Sequence, residues 1–117
     1  MHVRSATGES DGSGTGNLIV GWDDPFVTVQ RGGENNLVCG DANNFASYGG
    51  FVTGEANTVS ALYATVGGCL NIASGEAAAV SGGYKNAASI NEATVSGGDT
   101  VSDSNFHGWA AGTLHSP

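Results

Sequence analysis

The sequence predicts an all-β solenoid built from rungs of fourteen or fifteen residues each. Three observations predict it. First, residues 68–82 and 83–97 repeat one pattern: a Gly, an Asn after two intervening residues, Ala-Ser, then Ala-x-Val-Ser-Gly. Self-similarity at a fixed period is the mark of a stacked repeat architecture. Second, Val52, Val66, Val80 and Val95 recur at nearly equal intervals, two of fourteen positions and one of fifteen. Third, Gly makes up 20 of the 117 residues, well above the usual share of about 7%.

Helix is excluded from this array. Gly-Gly pairs at 49–50, 67–68, 82–83 and 97–98 would each cost a helix about 2 kcal/mol. Collagen is excluded because Gly does not fall on every third residue. Short segments of β-branched residues and Ala, bounded by Gly and Asn, read as strands joined by tight turns. In chain order, residues 1–16 are rich in Gly, Ser and Thr and are expected to be a flexible lead-in. Residues 17–112 form one head domain. Within it, Asn17-Leu-Ile-Val-Gly21 and Asn36-Leu-Val-Cys-Gly40 look like two copies of one strand. Residues 17–40 are read as an N-terminal cap plus the first rung, with residues 22–30 inserted between the copies. Terminal repeats are atypical because they cover an open end. The Asp23-Asp24 pair beside Pro25 is read as a turn.

The array proper carries an Asn-x-(Ala/Val)-Ser motif at Asn44, Asn57, Asn71 and Asn86. Residues 99–112 are a degenerate C-terminal cap rung, with Phe106 and Trp109, and residues 113–117 are a tail. Equivalent residues of successive rungs stack at the strand spacing of ~4.8 Å. Val52, Val66, Val80 and Val95 then form one column, and Ala64, Ala78 and Ala93 another. Asn57, Asn71 and Asn86 form a ladder of side-chain amides bonded along the axis. A rung offers one Val and two or three Ala to its interior, too little apolar surface to offset ordering its backbone. The valine and alanine columns are therefore expected to be the core of a homotrimer, buried between identical subunits in closed cyclic symmetry.

Composition narrows the function. The net charge is −8, which disfavours nucleic-acid and anionic-lipid partners. No apolar run is long enough for a spanning helix, so no direct membrane insertion by this segment is expected. Cys39 and Cys69 occupy different slots of the repeat, about two rungs apart and beyond the ~7 Å reach of a disulfide. They are read as small apolar fillers. The recurring serines at Ser47, Ser60, Ser74 and Ser89 read as turn residues rather than nucleophiles. His2, His107 and His115 are scattered, and the common nucleophile, phosphate-loop and zinc motifs do not occur. No catalytic, cofactor-binding or metal residue is assigned, and the chain is not expected to be an enzyme. Residues 97–103 resemble one calcium-binding nonapeptide, with Thr100 in place of a required Gly. Phe45, Tyr48, Tyr63 and Tyr84 are candidate ligand-facing aromatics; interchain packing is the plainer account of them.

The segments Ala64-Thr-Val-Gly-Gly68, Ala78-Ala-Val-Ser-Gly-Gly83 and Ala93-Thr-Val-Ser-Gly-Gly98, each following an Asn-x-(Ala/Val)-Ser, resemble the head repeats of trimeric autotransporter adhesins, the YadA-like heads. They are similar also to Ser-Gly-Gly/Asn-x-Ala-Ser repeat proteins, whose ends carry a segment like Trp109-Ala-Ala-Gly112. The resemblance spans residues 33–114. It implies a left-handed parallel β-roll, three chains around one axis, and exposure at the bacterial cell surface through an outer-membrane region beyond this chain. It also implies attachment to host or matrix proteins or glycans. A carbohydrate-binding or phage-tail-like fibre module is the alternative function.

Overall fold

The computed structural model describes residues 16–21 and 32–115. The insertion with its Asp23-Asp24 pair, most of the lead-in and the last two residues of the tail lie outside the described residues. The chain is all-β, a parallel β-solenoid of about five turns with rungs of ~14 residues. Each rung contributes one short strand to each of two sheets, and each strand stacks on its equivalent in the next rung.

One sheet has eight strands in the order β1-β2-β4-β6-β8-β10-β12-β13. They are β1 (Leu18–Val20), β2 (Leu37–Asp41), β4 (Phe51–Glu55), β6 (Thr65–Val66), β8 (Ala79–Val80), β10 (Thr94–Gly97), β12 (Trp109–Ala111) and β13 (Leu114–His115). The other has five, in the order β11-β9-β7-β5-β3. These are β3 (Asn44–Phe45), β5 (Thr58–Val59), β7 (Ile72–Ala73), β9 (Ala87–Ala88) and β11 (Ser102–Asp103). Every pairing is parallel except β12 with β13, where the chain turns back and closes the sheet's edge. Strand β1 pairs in register with β2, Leu18 opposite Leu37 and Val20 opposite Cys39.

The core lies inside the single chain, and this corrects the sequence reading. Val52, Val66, Val80 and Val95, with Ala64, Ala78 and Ala93, are all 0% exposed without any second subunit. The five-stranded sheet supplies the cover. Its inward residues Phe45, Val59, Ala73 and Ala88 face the valine column and belong to the same cluster. The sequence reading judged the one Val and two or three Ala of a rung too few to shelter themselves, whereas the two strands of each rung bury them against one another. Two sheets closing on each other shelter the interior, so these columns are the core of one chain and not the contact between three.

The register also moves by one residue at the start. Asn43, not Asn44, is the first member of the asparagine column, because Asn57 donates its backbone N–H to Asn43 Oδ1 at 3.0 Å. Asn44 sits in β3, opposite Thr58. The slot read as serine accordingly begins at Ala46, whose N–H bonds Val59 as that of Ser60 bonds Ala73. The extra residue of the longer rungs enters at Ser81-Gly82 and again at the irregularity between Val95 and Gly97. Space around Gly82 is open, so the insertion is absorbed on the outside.

Two columns of left-handed backbone shape the turns. Ala42, Ala56, Leu70, Lys85 and Thr100 have φ between 52° and 59°. On the other turn, Asn35, Tyr63, Ala77, Glu92 and His107 have φ between 54° and 61°. Such backbone costs a non-glycine residue about 1 kcal/mol or more, and the stacked hydrogen bonds of neighbouring rungs hold it in place. Replacing Ala56 and Ala77 together by Gly is therefore expected to raise stability by about 1 kcal/mol in urea unfolding. A loss of stability would show that these turns are relaxed. At Gly40, Gly54, Gly68 and Gly83 the demand runs the other way. A Cβ there would meet the next rung's carbonyl oxygen at 1.9, 1.9, 2.4 and 2.2 Å.

Candidate functional site

Side-chain chemistry concentrates in three places: the buried asparagine column, the outer face of the eight-stranded sheet, and a tyrosine pair on one turn stack. Buried polar groups must be hydrogen-bonded, and the asparagines satisfy this fully. Asn71 is 0% exposed. Its Nδ2 donates to Gly67 O in its own rung at 2.6 Å and to Gly83 O in the next at 2.9 Å. Its Oδ1 accepts the backbone N–H of Asn86 at 2.7 Å. Asn57 and Asn86 repeat the arrangement, and the column ends where Val101 donates its N–H to Asn86 Oδ1. The axial bonds thus run mostly from side chain to backbone rather than from amide to amide. A shorter seam at the other corner joins Asn17 Oδ1 to the N–H of Asn36, and Asn36 Oδ1 to the N–H of Gly50. It ends there because Gly50 has no side chain to continue it, and Ala64, Ala78 and Ala93 follow.

Two neighbouring rows on the outer face of the larger sheet are apolar or neutral. One runs Leu18, Leu37, Phe51, Thr65, Ala79, Thr94 and Trp109. The second includes Val20, Cys39 and Thr53. Among the described residues neither row carries a charge, although the chain's net charge is −8. Acidic residues stand at the sheet's margin instead, at Asp41, Glu55 and Asp99. Leu37, Phe51 and Trp109 are 40, 40 and 43% exposed. Phe106 and Trp109, read from the sequence as covering the last rung, are both exposed, and Trp109 Nε1 donates to Ser96 Oγ at 2.6 Å. The inward slot of that rung holds Asp103, which is buried, with Oδ1 accepting the N–H of Asn105 and Oδ2 unpartnered among the described residues.

Compared with known proteins, the chain matches no family model, and no curated protein or solved structure is significantly similar to it.

The candidate aromatics separate. Phe45 is buried in the core and is no ligand platform. Tyr84 lies at the end of the larger sheet, where Lys85 Nζ stands 5.0 Å from its ring centroid. Tyr48 and Tyr63 come together on the opposite turn stack. Their hydroxyls are 2.9 Å apart and their rings meet edge to face, with centroids 5.4 Å apart and planes at 86°. Gly49 leaves room for the Tyr63 ring, since a Cβ there would sit 3.1 Å from Tyr63 Cδ1. The Tyr48 hydroxyl is held above its ordinary pKa, first by its hydrogen bond to Tyr63, then by the charge of Tyr63, slight burial and Glu76. On the same stack His107 Nδ1 lies 2.6 Å from Glu92 Oε2, with both side chains exposed.

Cys39 and Cys69 are free and half-buried. Among the described residues no three His, Cys, Asp or Glu side chains gather as metal ligands. In the calcium-like stretch, Asp99 accepts the Thr100 hydroxyl at the surface while Asp103 points into the core. Sequence reasoning missed the Tyr48–Tyr63 contact. With a period of fourteen residues there, Tyr63 falls in the slot of Gly49, next to Tyr48 one rung earlier, and that placement was the signal that could have found it.

Proposed function

We propose that this chain is a non-enzymatic structural and adhesive head that works as a homotrimer on a bacterial surface. A left-handed hand for the roll and a relation to the trimeric autotransporter adhesins are parts of this proposal. The single observation that carries it is the pair of uncharged rows on the outer face of the eight-stranded sheet, on an otherwise acidic chain. A surface bearing charges of one sign repels its own copies; an uncharged one does not. Leu37, Phe51 and Trp109 lose water if copies pack there, and such exposed apolar patches mark interaction sites. Between them the small residues Thr65, Ala79 and Thr94 let backbones approach closely. The support for a trimer thus comes from the outer face, since the core is sheltered within one chain.

Light scattering after size exclusion is expected to give three times the chain mass of 11.6 kDa. A folded protein at the single-chain mass would overturn the proposal.

A further inference from the structure

We infer that the turn carrying Tyr48 and Tyr63 is a binding site for a neutral sugar ring of a glycan. The inference rests on the attachment reading for its biological setting, but the site uses no residue of the uncharged rows of the sheet. The stacking of rungs brings together two phenols that the sequence keeps a whole rung apart. Tyr63 is 52% exposed, with one side against Gly49. An aromatic ring presents a negative face, which suits the polarised C–H groups on the flat side of a pyranose. The edge-to-face contact with Tyr48 fixes the orientation of that ring.

The hydroxyls add polar recognition. Two phenols hold two O–H protons, and their mutual bond uses one. The second proton and the remaining lone pairs are left to pair with sugar hydroxyls. Charge selects against acidic sugars. Glu76 lies near enough to act on Tyr48, and the chain's net charge is −8. Lys85, the one Lys or Arg among the described residues, stands over Tyr84 on the other turn stack. Tyr84 is therefore not part of the site.

The test is titration of the full chain with lactose, cellotetraose and maltotetraose as neutral probes and sialyllactose as the acidic one, read by saturation-transfer NMR and calorimetry. At least one neutral probe is expected to bind in preference to sialyllactose. Tyr63→Ala should weaken it roughly ten-fold or more, and Tyr48→Phe less, whereas Tyr84→Ala should leave it unchanged. Ala77 stands in the Tyr63 slot one rung later, so Tyr63→Ala keeps the turn, which circular dichroism checks. Failure of every neutral probe, equal binding by folded Tyr63→Ala, or preference for sialyllactose would overturn the site. The mass measurement is read apart from this one. Sugar binding by a single-chain species would count against assembly and leave the site standing.

Discussion

Val80→Asp is expected to leave the chain unfolded at every protein concentration. Val80 is 0% exposed, paired in register with Val66 on one side and Val95 on the other. Ala73 and Ala88 of the facing sheet share its cluster, and none of these side chains can accept or donate a hydrogen bond. An unpaired carboxylate there costs several kcal/mol or more, and a neutral carboxyl still leaves polar atoms without partners. That is comparable to the total stability of about 5 to 15 kcal/mol typical of a domain. Independence from concentration is the discriminating part. A core shared between subunits would regain structure as concentration rises, whereas a core closed within one chain gains nothing. Circular dichroism over a wide concentration range reads the outcome. A folded Val80→Asp protein, or one that refolds on concentration, would show that the valine column is not interior.

Asn71→Ala is expected to destabilise the fold by about 3 to 5 kcal/mol in urea unfolding, the sum expected for several unpaired buried groups. The substitution removes three hydrogen bonds, to Gly67 O, to Gly83 O and from the N–H of Asn86. Asn71 and Asn86 are both buried, so water does not readily replace the lost partners. Each buried group left without one costs about 1 to 3 kcal/mol. Asn71→Asp should be no better tolerated, because a carboxylate keeps the acceptor but turns oxygen toward two carbonyls. A loss under about 1 kcal/mol for Asn71→Ala would mean that the ladder is decorative and that packing alone holds the rungs in register.

Much of this fold was legible in the sequence because a solenoid writes its period directly into the chain. The nearly equal intervals between Val52, Val66, Val80 and Val95 placed one column, and the asparagines placed another. Three things were hidden. The doublet Asn43-Asn44 fits the motif in two registers, and only the folded hydrogen bonds of Asn43, from Nδ2 to Gly54 O and to Oδ1 from the N–H of Asn57, separate them. The choice matters, because a shift of one residue sends Phe45 from the surface to the core. The left-handed turns were also hidden, since glycine is the usual sign of that backbone and Leu70, Lys85 and Glu92 give none. Last, the sequence shows which residues are apolar but not what covers them. Ala73 and Ala88 look too slight for a second wall, yet they complete the cluster around Val80 within one chain.

The candidate site was legible to a lesser degree. Tyr48, Tyr63 and Tyr84 are alike in composition but not in their partners. Tyr84 has Lys85 beside it already in the chain, whereas Tyr48 acquires Tyr63 only through the stacking. The uncharged rows of the outer face are likewise invisible along the chain. Their members come from seven different strands and line up only in the register of the sheet.

The most direct measurement is the solution mass of the native chain beside that of Ala79→Glu. Ala79 stands in the middle of the outer row, between Thr65 and Thr94, and points away from the core. A glutamate there puts like charges together only where copies pack, and leaves the interior untouched. The native chain should run at three times 11.6 kDa, and Ala79→Glu at 11.6 kDa with the same circular dichroism spectrum. A native chain that is folded at the single-chain mass, or an Ala79→Glu protein that stays assembled, would contradict packing through this face.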